Sequence, residues 1–198
     1  MIRMSLNVGY LKSSKNDEAY TPYYAVQPLL KYIPKNVVIW CPFDQDYSAF
    51  VNLLRNHGCR VICSHIELGY DFFNYEPRYY DIIISNPPFS IKDKVLERLY
   101  QLNKPFAMLL PLNSIQGVKR YEYFKHGIQL LAFDQRIGFH NIESMDTTIE
   151  SSPFASAYFC RDLLPRDLIL EHLEKFDRPL RRQMVRLIDV RQMCYIIK

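Results

Sequence analysis

The sequence predicts an α/β fold, a mostly parallel sheet with helices on both faces. Three observations carry that expectation. Short β-rich apolar runs alternate with amphipathic helical stretches along most of the chain. The runs are almost continuously apolar, as strands covered on both faces are. The last two, Ile128 to Phe133 and Phe154 to Phe159, have no helical pattern between them and are expected to pair antiparallel at one edge.

The elements follow in order. The first twenty residues are polar and read as a lid or arm. Thr21-Pro22 precedes a helical stretch from Ala25 to Tyr32, where a proline without an N–H suits a helix start. Val37 to Trp40 reads as a buried strand. Ser48 to His57 places Phe50, Val51, Leu53 and Leu54 on one helical face, and Gly58 provides its stop. Arg60 to Cys63 is a second strand. The clearest strand is Tyr80 to Ser85, which runs directly into Asn86-Pro87-Pro88-Phe89. Ser90 and Asp93 have the spacing of a capping box, ahead of a helix marked by Ile91, Val95, Leu96, Leu99 and Leu102. Phe106 to Leu110 is a strand ended by Pro111, and Val118 to Lys125 is a helix ended at Gly127. There is no internal repeat and no low-complexity segment.

Composition narrows the class. The chain has 198 residues, 48% of them hydrophobic, which is enough for a core and too apolar for a disordered chain. No run approaches the roughly 18 apolar residues of a membrane span, and the N-terminal residues lack an apolar signal core. Five cysteines without framework spacing fit a reducing compartment, so a cytoplasmic location is expected. The net charge of +4 is uneven: residues 161–198 hold nine Lys/Arg against six Asp/Glu, and five arginines lie between Arg178 and Arg191. That cluster suits either a polyanion or the solvated face of a helix.

Ligands of open α/β sheets bind at the carboxyl ends of strands, so the motifs that follow strands matter most. Asn86-Pro87-Pro88-Phe89 is the foremost of them. Two prolines end the ladder and stiffen the turn, holding the Asn86 amide and the Phe89 ring at the sheet's edge. An amide oxygen and a proline carbonyl beside an aromatic plate can accept both N–H bonds of a planar amine. Cys59-x₃-Cys63-x-His65 has no second pair of ligands, so no metal site is expected. No Ser-His triad and no Gly-Lys-Ser/Thr phosphate loop is present.

This motif, with its setting, resembles class I S-adenosylmethionine-dependent methyltransferases of the adenine-N6 DNA type. Asp71-Phe72-Phe73-Asn74-Tyr75-Glu76-Pro77, then the strand Asp81 to Ser85, then Asn-Pro-Pro-Phe is similar to that family's order of motifs, and Tyr20-Thr21-Pro22 resembles its Thr-Pro element. The resemblance covers roughly residues 20–160. It implies a Rossmann-like fold with a mostly parallel seven-stranded sheet, a catalytic core over 1–160 and a basic helical extension over 161–198 without a separate target-recognition domain. It implies S-adenosylmethionine as cofactor, and DNA as partner, with a second copy or partner chain supplying target recognition; no membrane is involved.

The resemblance also implies roles. Asn86, Pro87, Pro88 and Phe89 would be catalytic, with Phe89 stacking on the target base. Asp71 would contact the cofactor's adenine amine and Phe72 its ring, with Thr21, Pro22 and Asn86 completing that side. The first-motif loop, Trp40 to Ser48, has no glycine where the family usually has two. Asp44 and Asp46 would hold the cofactor's ammonium group there and Pro42 would shape the turn, although acids also suit the helix start that follows. The ribose acceptor would be Ser64, His65 or Glu67. Lys119, Arg120 and Arg136 are candidates for substrate contact, with an ion pair between Asp134 and Arg136 equally open. Adenine in RNA, a protein glutamine, a small-molecule amine as acceptor, and a catalytically inactive binding scaffold are the alternatives.

Overall fold

The computed structural model describes residues 20–139 and 154–175. Its centre is one seven-stranded sheet in the order β2-β1-β3-β4-β6-β5-β7. The strands are β1 Val38–Cys41, β2 Arg60–Cys63, β3 Ile82–Ser85, β4 Phe106–Pro111, β5 Gln129–Phe133, β6 Ser156–Arg161 and β7 Leu168–Glu171. All pairings are parallel except those of β6, which runs against both β4 and β5. The fold class expected from the sequence is thus present, with one correction. The antiparallel strand lies inside the sheet, and β7, parallel to β5, forms the edge.

Helices cover both faces because alternate strand residues are apolar on both. Ile39, Cys41, Ile82, Ile84, Ala107 and Leu109 meet α1 (Tyr23–Val26), the 3-10 turn Gln27–Tyr32 and α2 (Ala49–His57). Trp40, Ile83, Phe106, Met108 and Leu110 instead meet α3 (Lys92–Leu102) and α4 (Val118–Phe124). Full burial of each such aliphatic side chain contributes about 1.5–3 kcal/mol, so this two-sided packing supplies most of the driving force.

Local chemistry sets the element ends. The Ser48 hydroxyl accepts the Val51 N–H at 3.2 Å at the start of α2, and Gly58 ends it at φ +100°, a conformation that favours glycine. The stretch expected to be one helix from Ala25 to Tyr32 is split. Pro28 enters the ladder and the chain tightens to a 3-10 turn. Ser90, expected to cap the helix in a capping box with Asp93, is not the cap residue of α3. Pro88 directs the chain into a one-turn 3-10 segment, Phe89–Ile91, so the residue before α3 is Ile91.

The C-terminal part also departs from expectation. Residues 161–171, placed in a helical extension by sequence, complete β6 and form β7. Glu171 holds β7 to the first helical layer, accepting from Lys31 Nζ and the Tyr32 hydroxyl, each at 2.6 Å. Asp134 holds its end, taking the Leu173 N–H at 3.0 Å and His172 at 2.6 Å. Residues 1–19 of the lid or arm expected over 1–20, the polar stretch from His140 to Ser152 and the arginine cluster from Arg178 to Arg191 lie outside the described residues. Among the described residues no helix is long and apolar enough to cross a membrane.

Candidate functional site

From β1 the chain crosses to β2 on one side and then returns to β3 on the other. The gap between β1 and β3 is therefore a topological switch point, where the connections leaving two parallel strands diverge and open a crevice. At its rim stand Pro42 to Ser48, following β1, and Asn86-Pro87-Pro88-Phe89, following β3. Sequence order alone could not place these two loops side by side; the strand order does.

One buried polar contact joins them. Ser85 donates its hydroxyl to the Asp44 carboxylate, and the Phe43 N–H reaches the same hydroxyl at 3.3 Å. Asp44 is only 7% exposed. Burial raises its carboxyl to about 6, against the opposing pull of hydrogen bonds from Ser85 and Ser48. No residue between Pro42 and Ser48 has a positive φ. The loop thus makes its turn with Asp44 tucked beneath it, and the absence of glycine costs it no backbone strain.

Around this clasp the loops interlock. Gln45 donates to Glu67 at 2.6 Å, tying the loop after β1 to the turn after β2. Asp46 is half-exposed and pairs with Arg55 at 2.9 Å, and the Cys63 thiol donates to it at 3.2 Å. Burial, together with that hydrogen bond, pushes the thiol up to about 11. Asn52 donates to the Tyr23 hydroxyl and to the backbone of Tyr47 and Ser48. Tyr20 brings its hydroxyl to 3.5 Å from that of Tyr47, so the Thr21-Pro22 element sits against the far end of the loop. Pro22 is buried, and the Thr21 hydroxyl is buried with no hydrogen-bond partner among the described residues.

Three expectations need correction. Ser64 is 1% exposed, and its hydroxyl accepts the Trp40 indole N–H at 2.9 Å, so it serves the core and presents nothing to a ribose. Phe72 is 3% exposed, packed against Trp40 and Phe43 with ring centres 5.3 and 4.9 Å away and under the Arg98 guanidinium. It anchors its own turn to β1 and shows almost no surface to a ligand ring. Arg120 is the third. It forms a two-pronged ion pair with Asp93, from Nε at 2.5 Å and from its terminal nitrogen at 3.3 Å, and donates to the carbonyls of Ser114 and Gln116. It is a clamp within the protein rather than a cation awaiting a phosphate.

The other expected residues lie as follows. Asp71 caps its own turn, accepting from the Phe73 N–H at 3.0 Å and from Asn74 at 2.5 Å. His65 accepts the Glu67 N–H at 3.3 Å and is largely buried. Pro42 is buried beneath the loop; Lys119 and Arg136 are exposed. Asn86 is half-buried, its Oδ1 shielded from solvent. Pro87 is buried and Pro88 half-buried. The Phe89 ring meets Phe139 and Phe154 edge-on, at 6.0 and 5.3 Å. Phe154 was not singled out by sequence. Its only local signal was an aromatic ring at the head of an apolar run.

No family model matches the sequence, and no curated protein does. Among solved structures, the chain is similar to a type I restriction-modification methyltransferase subunit from Streptococcus thermophilus, at 11% identity and a TM-score of 0.48. The match covers 89% of this chain, and the chain spans 53% of that one.

Proposed function

We propose that this chain transfers a methyl group from S-adenosylmethionine to the exocyclic N6 amine of adenine in DNA. The observation that carries the reading is the position of Asn86-Pro87-Pro88-Phe89, at the carboxyl end of β3 on the switch point and clasped through Ser85 to the loop after β1.

The chemistry of the rim fits the cofactor. S-adenosylmethionine carries an ammonium group, a ribose diol and an adenine amine, all of which donate hydrogen bonds. The loops after β1 and β2 and the turn before β3 supply Asp46, Glu67 and Asp71, and Thr21 adds a buried hydroxyl with no hydrogen-bond partner among the described residues. Glu67, exposed and positioned by Gln45, suits the diol, and Asp71 suits the amine. When bound, the cofactor supplies an electrophilic methyl group on a sulfonium.

The protein's own task is then orientation and electrostatics. An aromatic amine is a weak nucleophile because its lone pair is delocalised into the ring. Hydrogen bonds accepted from that amine by Asn86 Oδ1 and the Pro87 carbonyl favour a pyramidal nitrogen and direct its lone pair. Phe89 offers a ring for stacking and is itself steadied by Phe139 and Phe154. In a duplex the base must leave the stack, at a cost of a few kcal/mol. Asn86→Ala is expected to abolish transfer of labelled methyl to DNA while the protein melts as before. Full activity in that variant would overturn the assignment.

A further inference from the structure

We infer that the groove at the carboxyl end of β4 is a subsite for a second nucleobase, beside the one whose amine meets Asn86, and that Asn113 and Gln116 read it. The inference rests on the nucleic-acid reading above and concerns sequence context rather than the methyl transfer itself.

The groove has a volume of about 360 Å³ and is lined by Leu112, Asn113, Ile115, Gln116, Phe154 and Ala155. That volume lies at the low end of the range of about 300–1,000 Å³ usual for small-molecule sites. The groove is continuous with the candidate site, because the Phe154 ring that lines it stands 5.3 Å from the Phe89 ring. A base leaving the Phe89 position along a nucleic-acid strand is followed at once by a neighbour, and this groove is the adjoining surface.

Its composition suits such a neighbour. Phe154 is an aromatic ring of the kind on which bases stack. Leu112 and Ile115 are 38% and 43% exposed and form an apolar rim among the described residues. Asn113 and Gln116 are exposed and bring two carboxamides, groups that pair in two-point fashion with the edge of adenine.

The groove is also held rigid in a way its exposure does not otherwise explain. Arg120 binds the carbonyls of Ser114 and Gln116, at 3.1 and 2.6 Å, and fastens them to Asp93. Asp93 lies in the first turn of α3, which begins three residues after Phe89. From the other side, the Leu112 N–H donates to the Ala155 carbonyl at 2.8 Å. The wall that carries Asn113 and Gln116 is therefore fixed relative to the motif, as a reading site must be.

The test is to methylate random-sequence DNA, single-stranded and duplex, with labelled S-adenosylmethionine, and to sequence the context of the modified adenines. The full chain is compared with Asn113→Ala/Gln116→Ala, two exposed positions whose replacement is expected to leave the melting temperature unchanged. Wild type should show a preference of about tenfold at one position adjoining the methylated adenine. The double variant should lose that preference, transfer at the favoured context falling about tenfold to the level of the other contexts. Wild-type transfer with the same context preference in the variant, or with none at any adjoining position, overturns this inference and leaves the methyl-transfer reading standing. Absence of any wild-type transfer to nucleic acid overturns both.

Discussion

Ser85 donates its hydroxyl hydrogen to the buried carboxylate of Asp44 and receives the Phe43 N–H at 3.3 Å on the same oxygen. One small side chain thus fastens the loop after β1 to the residue that precedes Asn86. Ser85→Ala removes a donor from a shielded carboxylate, a loss of about 1–3 kcal/mol. Urea denaturation at neutral pH is expected to show that loss. Methyl transfer, measured where the variant is still folded, is expected to fall at least about tenfold because the two loops lose their register.

Asp44 makes stability pH-dependent in a direction opposite to that of most carboxylates. Burial raises its carboxyl from 3.8 to about 6, so between roughly pH 4 and 6 the folded protein holds a proton that the unfolded chain has released. Its contribution to stability therefore falls as pH rises through that window, by about 3 kcal/mol in all. Asp44→Asn should remove this slope. Melting curves of the two proteins from pH 4 to 7 check it, and parallel profiles would show that Asp44 is not the titrating group.

Ser64 distinguishes a core role from a ligand role. Its hydroxyl is the acceptor for the Trp40 indole N–H at 2.9 Å. Ser64→Ala is expected to destabilise the fold by about 1–3 kcal/mol through the orphaned buried donor. The increment in melting temperature on adding S-adenosylmethionine should be the same in both proteins. A reduced increment would restore Ser64 as a cofactor contact.

Gly58 ends α2 at φ +100°, with nothing within 4 Å of the position a Cβ would take. A Gly58→Ala substitution therefore meets no neighbour and tests backbone strain alone. The expected loss is about 1 kcal/mol, read as a shifted urea midpoint at unchanged slope, with methyl transfer unaffected.

What could be read from the sequence was what neighbouring residues decide. The run Ile82 to Ser85 into Pro87-Pro88 marks a buried strand and its end within a few residues, and Ser48 and Gly58 bracket α2 in the same local way. The errors arise from partners far along the chain. Ser64 stands in sequence as one of three candidate ribose contacts because the indole it satisfies lies 24 residues earlier. Arg120 was read as a cation for substrate because its carboxylate lies 27 residues away, on another helix. β7 has four residues of alternating burial, too short for a periodic signal, and is held by its parallel pairing with β5 and by Glu171, which finds Lys31 and Tyr32 some 140 residues upstream. The juxtaposition of Asp44 with Ser85 follows from strand order, which no local pattern encodes.

Trp40 gives the protein a built-in optical probe. It is the one tryptophan in the chain, fully buried, its indole bonded to Ser64 and walled by Phe72 and Tyr80 at ring separations of 5.3 and 5.1 Å. Three positions further on, Phe43 begins the clasped loop, and its ring packs on Phe72. Emission from this single fluorophore therefore originates directly beneath the crevice, blue-shifted by its dry surroundings. Any occupant that moves the loop perturbs that light without a label.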